Sequence, residues 1–261
     1  MNNQDSEADK QAEHARYDSR ASQRLAEGGG EALPLGSVAV PLMYRAPYLY
    51  YEKCVRSLVG PGKRVLELGS GAGLHTGVLL ETGAEVTATD ISLNALELLA
   101  RSVTDRQGRG RLRTEQADME KLPFPGGSFD LVVSAGSLSY GEPSRVDREV
   151  RRVLAPGGSV VCVDSLNHNP IYRFNRWVHY LRGERTRSTL SRMPTIQRLE
   201  ALAAGFRESE LHFFGSVSWA MGPLARLTGE DAASAWSDRI DRWVHVRASA
   251  FKVVLAARHL A

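Results

Sequence analysis

The stretch Val65-Leu-Glu-Leu-Gly-Ser-Gly-Ala-Gly73 decides the architecture. Its first half is a short apolar strand, Arg64–Leu68, interrupted only by Glu67. Its second half is a glycine turn, in which Gly69 and Gly71 permit backbone angles closed to other residues and let a ligand lie against bare main chain. A helix is expected over 74–82, closed by Gly83. Its free N–H groups would point back at that ligand, a place for a carboxylate or phosphate.

The same alternation continues outward. Strands are expected at Glu85–Thr89, ending at Asp90, then at Arg111–Glu115, Phe129–Ala135 and Ser159–Val163. Between them lie a helix capped by Ser92, with Leu93, Leu96, Leu99 and Val103 on one face, and another over Ser144–Leu154. The apolar runs are continuous rather than alternating, which indicates strands buried on both faces of a parallel sheet. Strands alternating with helices predict an α/β, Rossmann-like, doubly wound domain.

The flanks are different. Residues 5–27 read as a polar helix with a thin stripe of Ala8, Ala12, Ala15 and Leu25. Pro41–Val59 reads as a second helix, where Tyr44, Tyr48, Tyr51, Val55 and Leu58 share a face. After the core, Thr195 can cap a helix through Ala204, and Leu211–Val217 and Phe251–Ala257 read as two last strands. A helix is expected near 230–246. In Tyr172-Arg-Phe-Asn-Arg-Trp-Val-His-Tyr-Leu-Arg182, the residues Phe174, Trp177, Val178 and Leu181 form one apolar face, first explained by core packing. The whole is expected to be a single domain over 1–261, with an N-terminal helical lid at 1–59, a core at 60–164 and insertions at 165–195 and 218–250.

Composition narrows the class. The chain of 261 residues is 43% hydrophobic and 24% charged, values of a globular protein with a sizeable core. A net charge of +3 is too mild to argue for nucleic acid. Five of the 33 basic residues are lysines, leaving 28 arginines, a skew that coding bias explains. Cys54 and Cys162 stand far apart in unlike contexts, so neither a disulfide framework nor a metal site is expected. The N-terminus is polar and acidic, unlike a signal peptide, and no run reaches the roughly 18 apolar residues of a membrane span. A cytoplasmic location is expected, as is a monomer or homodimer.

Glycine spacing alone does not distinguish nucleotide folds. A dinucleotide fingerprint starting at Gly69 needs glycine where Leu74 stands, and no Walker-type phosphate cradle is present. Asp90 closes the second strand about 20 residues after the turn, where it can accept from both ribose hydroxyls of an adenosine. A second acid lies in Ala117-Asp-Met-Glu-Lys-Leu-Pro-Phe-Pro125. Asp118 can accept from an adenine amino group while Met119 packs on the ring. Two acids on one rim of the sheet suit a cofactor that bears a positive sulfonium and no phosphate.

With Val65–Gly73, Thr89-Asp-Ile-Ser92, Ala117–Pro125, Phe129-Asp-Leu-Val-Val-Ser134 and Arg152-Val-Leu-Ala-Pro-Gly-Gly158 in this order, the chain resembles the class I S-adenosylmethionine-dependent methyltransferase family across residues 64–164. The resemblance implies a mainly parallel seven-stranded sheet with an antiparallel last strand. It also implies S-adenosyl-L-methionine as cofactor, S-adenosyl-L-homocysteine as product, and no metal. Glu67, Gly69, Ser70, Gly71 and Gly73 would surround the methionine part. Asp90, with Ile91 and Ser92 beside it, would hold the ribose and flank the adenine. Asp118 and Met119 would flank the adenine, and Ala135 and Gly136 would line the donor end. Tyr17 is similar to a tyrosine in the N-terminal lid of small-molecule members.

The reaction so implied is an in-line displacement at the sulfonium methyl carbon, in which placement supplies much of the acceleration. His168 is the candidate base for a hydroxyl acceptor. His75, which opens the helix after the glycine turn, is expected to shape the cofactor pocket. Tyr44, Arg45, Tyr48, Tyr140, Arg173 and Arg176 are candidates for the acceptor site, the arginines by their fit to carboxylate or phosphate. The expected function is methylation of a small molecule, a natural product or sugar precursor, at oxygen or nitrogen. The alternatives are an RNA or protein methyltransferase, which lacks support because no RNA-binding module is visible, and a catalytically silent donor-binding partner subunit.

Overall fold

A computed structural model describes residues 3–28, 35–104, 110–183, 186–215, 239 and 247–261. The expected helix near 230–246, and most of the 218–250 insertion, fall outside these residues.

Seven strands form one sheet: β1 (Arg64–Leu68), β2 (Glu85–Asp90), β3 (Arg111–Gln116), β4 (Phe129–Ala135), β5 (Leu154–Ser165), β6 (Phe206–Phe214) and β7 (Lys252–Leu260). The order is β3-β2-β1-β4-β5-β7-β6. β1 pairs in parallel with both β2 and β4, whereas β7 runs antiparallel between β5 and β6. The strand order reverses at β1 and β4, which leaves a crevice beyond their C-terminal ends. β1, β4 and β5 are buried along most of their length, the property expected of their continuous Val and Leu runs. β5 extends further than the apolar run Ser159–Val163, starting at Leu154.

Helices α2 (Ala46–Leu58), α3 (Thr76–Glu81) and α4 (Leu93–Thr104) help cover one face, where Tyr51, Val55, Leu79, Leu96, Leu99 and Val103 join the inner side of the sheet. Helices α5 (Pro143–Val153) and α8 (Ile196–Ala203) cover the other, with Val146, Val150, Leu199 and Leu202 in its core. Residues Leu42–Tyr44 form a separate short turn ahead of α2, because Pro47 sets the start of the helix. Both cysteines are free and buried.

Two flanking elements depart from expectation. Helix α1 (Asn3–Ala26) exposes Ala8, Ala12 and Ala15, and its aliphatic contact is made instead by Ala21 and Leu25, against Ala72 and against Ala95 and Leu98 of α4. Its inward face is polar instead. Asp9 Oδ2 accepts from the Ser188 backbone N–H at 2.8 Å, Glu13 accepts from Thr186 and Thr189, and Asp18 accepts from Ser92 Oγ at 2.7 Å. Helix α6 (Pro170–Leu181) turns its apolar side outward: Phe174, Trp177 and Leu181 are exposed, so core packing is not their role. Beyond α6, the short helix α7 (Arg187–Ser191) lies against α1.

Candidate functional site

The glycine turn is held by the strands around it. The Ser70 N–H donates to the Thr89 carbonyl at 2.9 Å, and Thr89 Oγ1 donates to the Glu67 carbonyl at 2.8 Å. The Gly71 N–H donates to Asp90 Oδ2 at 2.9 Å, and the other Asp90 oxygen accepts from the Ser92 N–H at 2.9 Å. Asp90 is therefore fixed in orientation by two main-chain donors, and each oxygen retains acceptor capacity. Gly71 adopts φ +54°, and a methyl group built on it would meet open space. That space belongs to a cavity of about 630 Å³.

The cavity lies at the C-terminal rim of β1, β2, β3 and β4. Of the expected donor-site residues, Tyr17, Glu67, Gly69, Ser70, Gly71, Asp90, Ile91, Asp118, Met119, Ala135 and Gly136 all line it. Tyr48 and Tyr140, from the expected acceptor set, line it as well. The donor fits these residues on independent grounds: the buried Ser70 hydroxyl has no protein partner among the described residues, and Gly71 leaves an unfilled cradle beside it.

Gly73 and Ser92 have other work. Gly73 adopts φ +87°, and a Cβ there would stand 2.2 Å from Leu99 Cδ1, so this glycine lets α4 approach the turn. Ser92 caps α4, its Oγ accepting from the Ala95 N–H at 3.1 Å. Neither residue is part of the cavity wall.

Three buried titratable groups line the cavity among the described residues: Glu13 of α1, Glu67 and His75. Glu67 is 2% exposed, and its Oε2 accepts from Thr76 Oγ1 at 2.6 Å. Burial raises its pKa to about 7, against the lowering effect of the Thr76 hydrogen bond. His75 is 5% exposed, stacked on Tyr48 with ring centroids 5.1 Å apart and meeting Tyr51 edge-on at 5.6 Å. Burial, aided by the Lys252 charge, lowers its pKa to about 4, so the ring is neutral. Lys252 itself sits over the Tyr48 ring at 4.9 Å.

Helix α1 closes a further side of the cavity. Lys10, Glu13, His14, Tyr17 and Arg24 project into the cavity wall. The Tyr17 hydroxyl meets the Tyr140 hydroxyl, and their rings pack edge-to-face at 5.4 Å. Lys10 pairs with Asp118 and, at 3.4 Å, with Glu120. Asp118 Oδ1 also accepts from the Glu120 N–H at 2.9 Å. Ser188 and Thr189 of α7 complete this side.

Sequence reasoning missed the α1 and α7 contributions other than Tyr17. The signal was present: Lys10, Glu13, His14, Tyr17 and Arg24 recur at three-, four- and seven-residue steps. A search for apolar periodicity passes over a polar face.

The remaining expected residues take no part in this wall. His168 Nε2 accepts from the Ile196 N–H at 3.0 Å, at the start of α8, so the ring's accepting nitrogen is engaged by backbone. Arg45 donates to the carbonyls of Val38 and Val40, closing the turn ahead of α2. Tyr44 packs on Phe251 with centroids 5.7 Å apart. Arg173 is exposed on α6, and Arg176 is buried, donating from Nη1 to the Leu166 carbonyl at 2.8 Å.

Comparison with known proteins agrees with this geometry. Residues 66–162 match the family described as "Methyltransferase domain". That core is therefore similar to a methyltransferase domain, as the resemblance read from the sequence implies. A demethylmenaquinone methyltransferase of Clavibacter sepedonicus is 38% identical over 114 residues, which cover 43% of this chain and 45% of the relative. A ubiquinone/menaquinone biosynthesis C-methyltransferase of Azotobacter vinelandii is 35% identical over 107 residues, covering 40% of this chain and 42% of the relative. The match thus spans under half the length of either relative. Among solved structures, the [4+2]-cyclase SpnF has the same fold, with a TM-score of 0.57 and 22% identity over 83% of this chain and 82% of its own.

Proposed function

We propose that this chain transfers the methyl group of S-adenosyl-L-methionine to a small-molecule acceptor, leaving S-adenosyl-L-homocysteine. The observation that carries the proposal is the cavity of about 630 Å³ bounded on one side by bare turn and two acids, and on the other by α1. Its size is that of a small-ligand site.

The bound donor supplies an electrophilic methyl carbon. This chain's residues do the rest. Asp90 is aimed at the ribose position by the Gly71 and Ser92 amides. Glu67 adds negative charge that complements the cationic end of the donor, while Asp118, paired with Lys10, keeps acceptor oxygens for the adenine amino group. Ala135 and Gly136 border the donor end, and the Tyr17–Tyr140 contact shields it from water. Tyr48 and neutral His75 form an aromatic wall on which a flat acceptor can lie.

The acceptor atom is read as oxygen or nitrogen. A second reading, carbon, is supported by the name of the Azotobacter vinelandii relative, a C-methyltransferase of quinone biosynthesis. Methyl-labelled donor incubated with a panel of phenols, amines and a reduced demethylated menaquinone, analysed by mass spectrometry, separates these readings. Label in a small molecule supports the proposal. Label only in RNA or protein, or tight donor binding without turnover on every acceptor, rejects it. A donor-binding protein without transfer would be the silent partner subunit considered from sequence.

A further inference from the structure

Helix α6 carries a surface that the proposed reaction does not use. Phe174 is 63% exposed, Trp177 49% and Leu181 61%, with Ile171 also outward. At helical spacing these fall on one stripe. The opposite side is anchored: Asn169 Oδ1 caps the Ile171 N–H at 2.9 Å, Tyr172 packs on Phe251 with centroids 4.5 Å apart, and Arg176 is buried. The stripe therefore faces away from the body because of how the helix is held, and the Phe174 and Trp177 rings lie against one another at 5.9 Å.

Within α6 and its C-terminal cap the Asp, Glu, Lys and Arg side chains are all arginines. Arg173 borders it on one side and Arg182 on the other, both exposed. From Pro170 to Gly183 the sequence has no acidic residue. A helix with a Trp/Phe/Leu face between arginines has the composition of an interfacial helix. A second copy fits less well, because a twofold contact through this stripe would bring like arginines together.

We propose that α6 docks this protein on an anionic lipid surface, with Phe174, Trp177 and Leu181 entering the acyl boundary and Arg173 and Arg182 meeting the headgroups. The docked helix leads into α7, whose Ser188 and Thr189 form part of the cavity wall. Lipid docking at this point would bring an apolar acceptor close to the site without a separate carrier.

The test uses the full chain and sedimentation with vesicles, which is independent of methyl transfer. Vesicles of one part phosphatidylglycerol to two parts phosphatidylcholine should carry the protein down, and pure phosphatidylcholine vesicles should bind it about tenfold more weakly. The double variant Phe174→Ser/Trp177→Ser should lower partitioning about tenfold with an unchanged thermal midpoint, since both side chains are exposed. Arg173→Glu/Arg182→Glu should remove the preference for anionic lipid. Wild-type protein left in the supernatant, or a serine variant that sediments like wild type, overturns the proposal. So does a wild-type dimer, seen by sedimentation velocity, that the serine substitutions dissolve, because that result gives the stripe to a second copy.

Discussion

Lys10 on the N-terminal helix is paired with Asp118 on the loop after β3, the acid expected beside the adenine. Glu120 is a second partner of the same ammonium. The roof of the cavity is thus tied to the very loop that would hold the donor. Lys10→Ala should loosen α1 by on the order of 1 kcal/mol, the value of a partly buried ion pair. Amide hydrogen exchange over 7–20 should speed up several-fold at low salt. Unchanged exchange would show that the pair contributes nothing to closure.

As a residue lining the proposed donor site, Glu67 should make donor binding depend on pH. Its carboxyl titrates near 7 in the folded protein because it is buried. A cationic donor prefers the carboxylate, so affinity should fall as pH drops below about 7. The folded state, by contrast, binds this proton more tightly than the unfolded chain does. Its contribution to stability is therefore full below about pH 4.3, the unfolded value, and is lost as pH rises to about 7. Calorimetry of donor binding between pH 6 and 8, repeated on Glu67→Gln, checks the first effect. A pH slope that persists in the glutamine variant would assign the dependence elsewhere.

Gly71 and Gly73 should separate binding from folding. Gly73→Ala forces a Cβ to within 2.2 Å of Leu99 Cδ1 at φ +87°. The expected loss is about 2–4 kcal/mol in urea unfolding, from overpacking plus backbone strain. Gly71→Ala meets open space and should cost donor affinity more than stability. Equal stability losses in the two variants would contradict this division.

His168→Ala removes the acceptor for the Ile196 N–H at the start of α8. Stability should drop by about 1 kcal/mol, as for a lost helix cap. Methyl transfer should stay within a few-fold of wild type. A loss of turnover of a hundredfold or more would restore His168 as the base.

The core was legible because its physics is local. Arg64–Leu68 and Phe129–Ala135 are strands with the bounds read from their apolar runs. Asp90, Asp118 and the turn meet on one rim because parallel strands bring their C-terminal ends together. Legibility failed where tertiary placement overrides pattern. The Phe174 stripe looks like a core face, and only the docking of Tyr172 and Arg176 shows that it points outward. Likewise, Ala8, Ala12 and Ala15 suggested the buried side of α1, while Glu13 and Tyr17 make its contacts. His168 follows β5 on the expected rim, yet its nitrogen serves the chain's own backbone.

The reversed seventh strand has a consequence for how the chain is made. Among the described residues β6 pairs only with β7, and β7 joins it to β5. During synthesis the first five strands can assemble as the ribosome releases them, while β6 must wait for a stretch translated later. The flank of β5 therefore stays open until β7 has been translated, and a growing chain halted before β7 would present both that flank and Phe206–Phe214 as unpaired edges to chaperones and proteases.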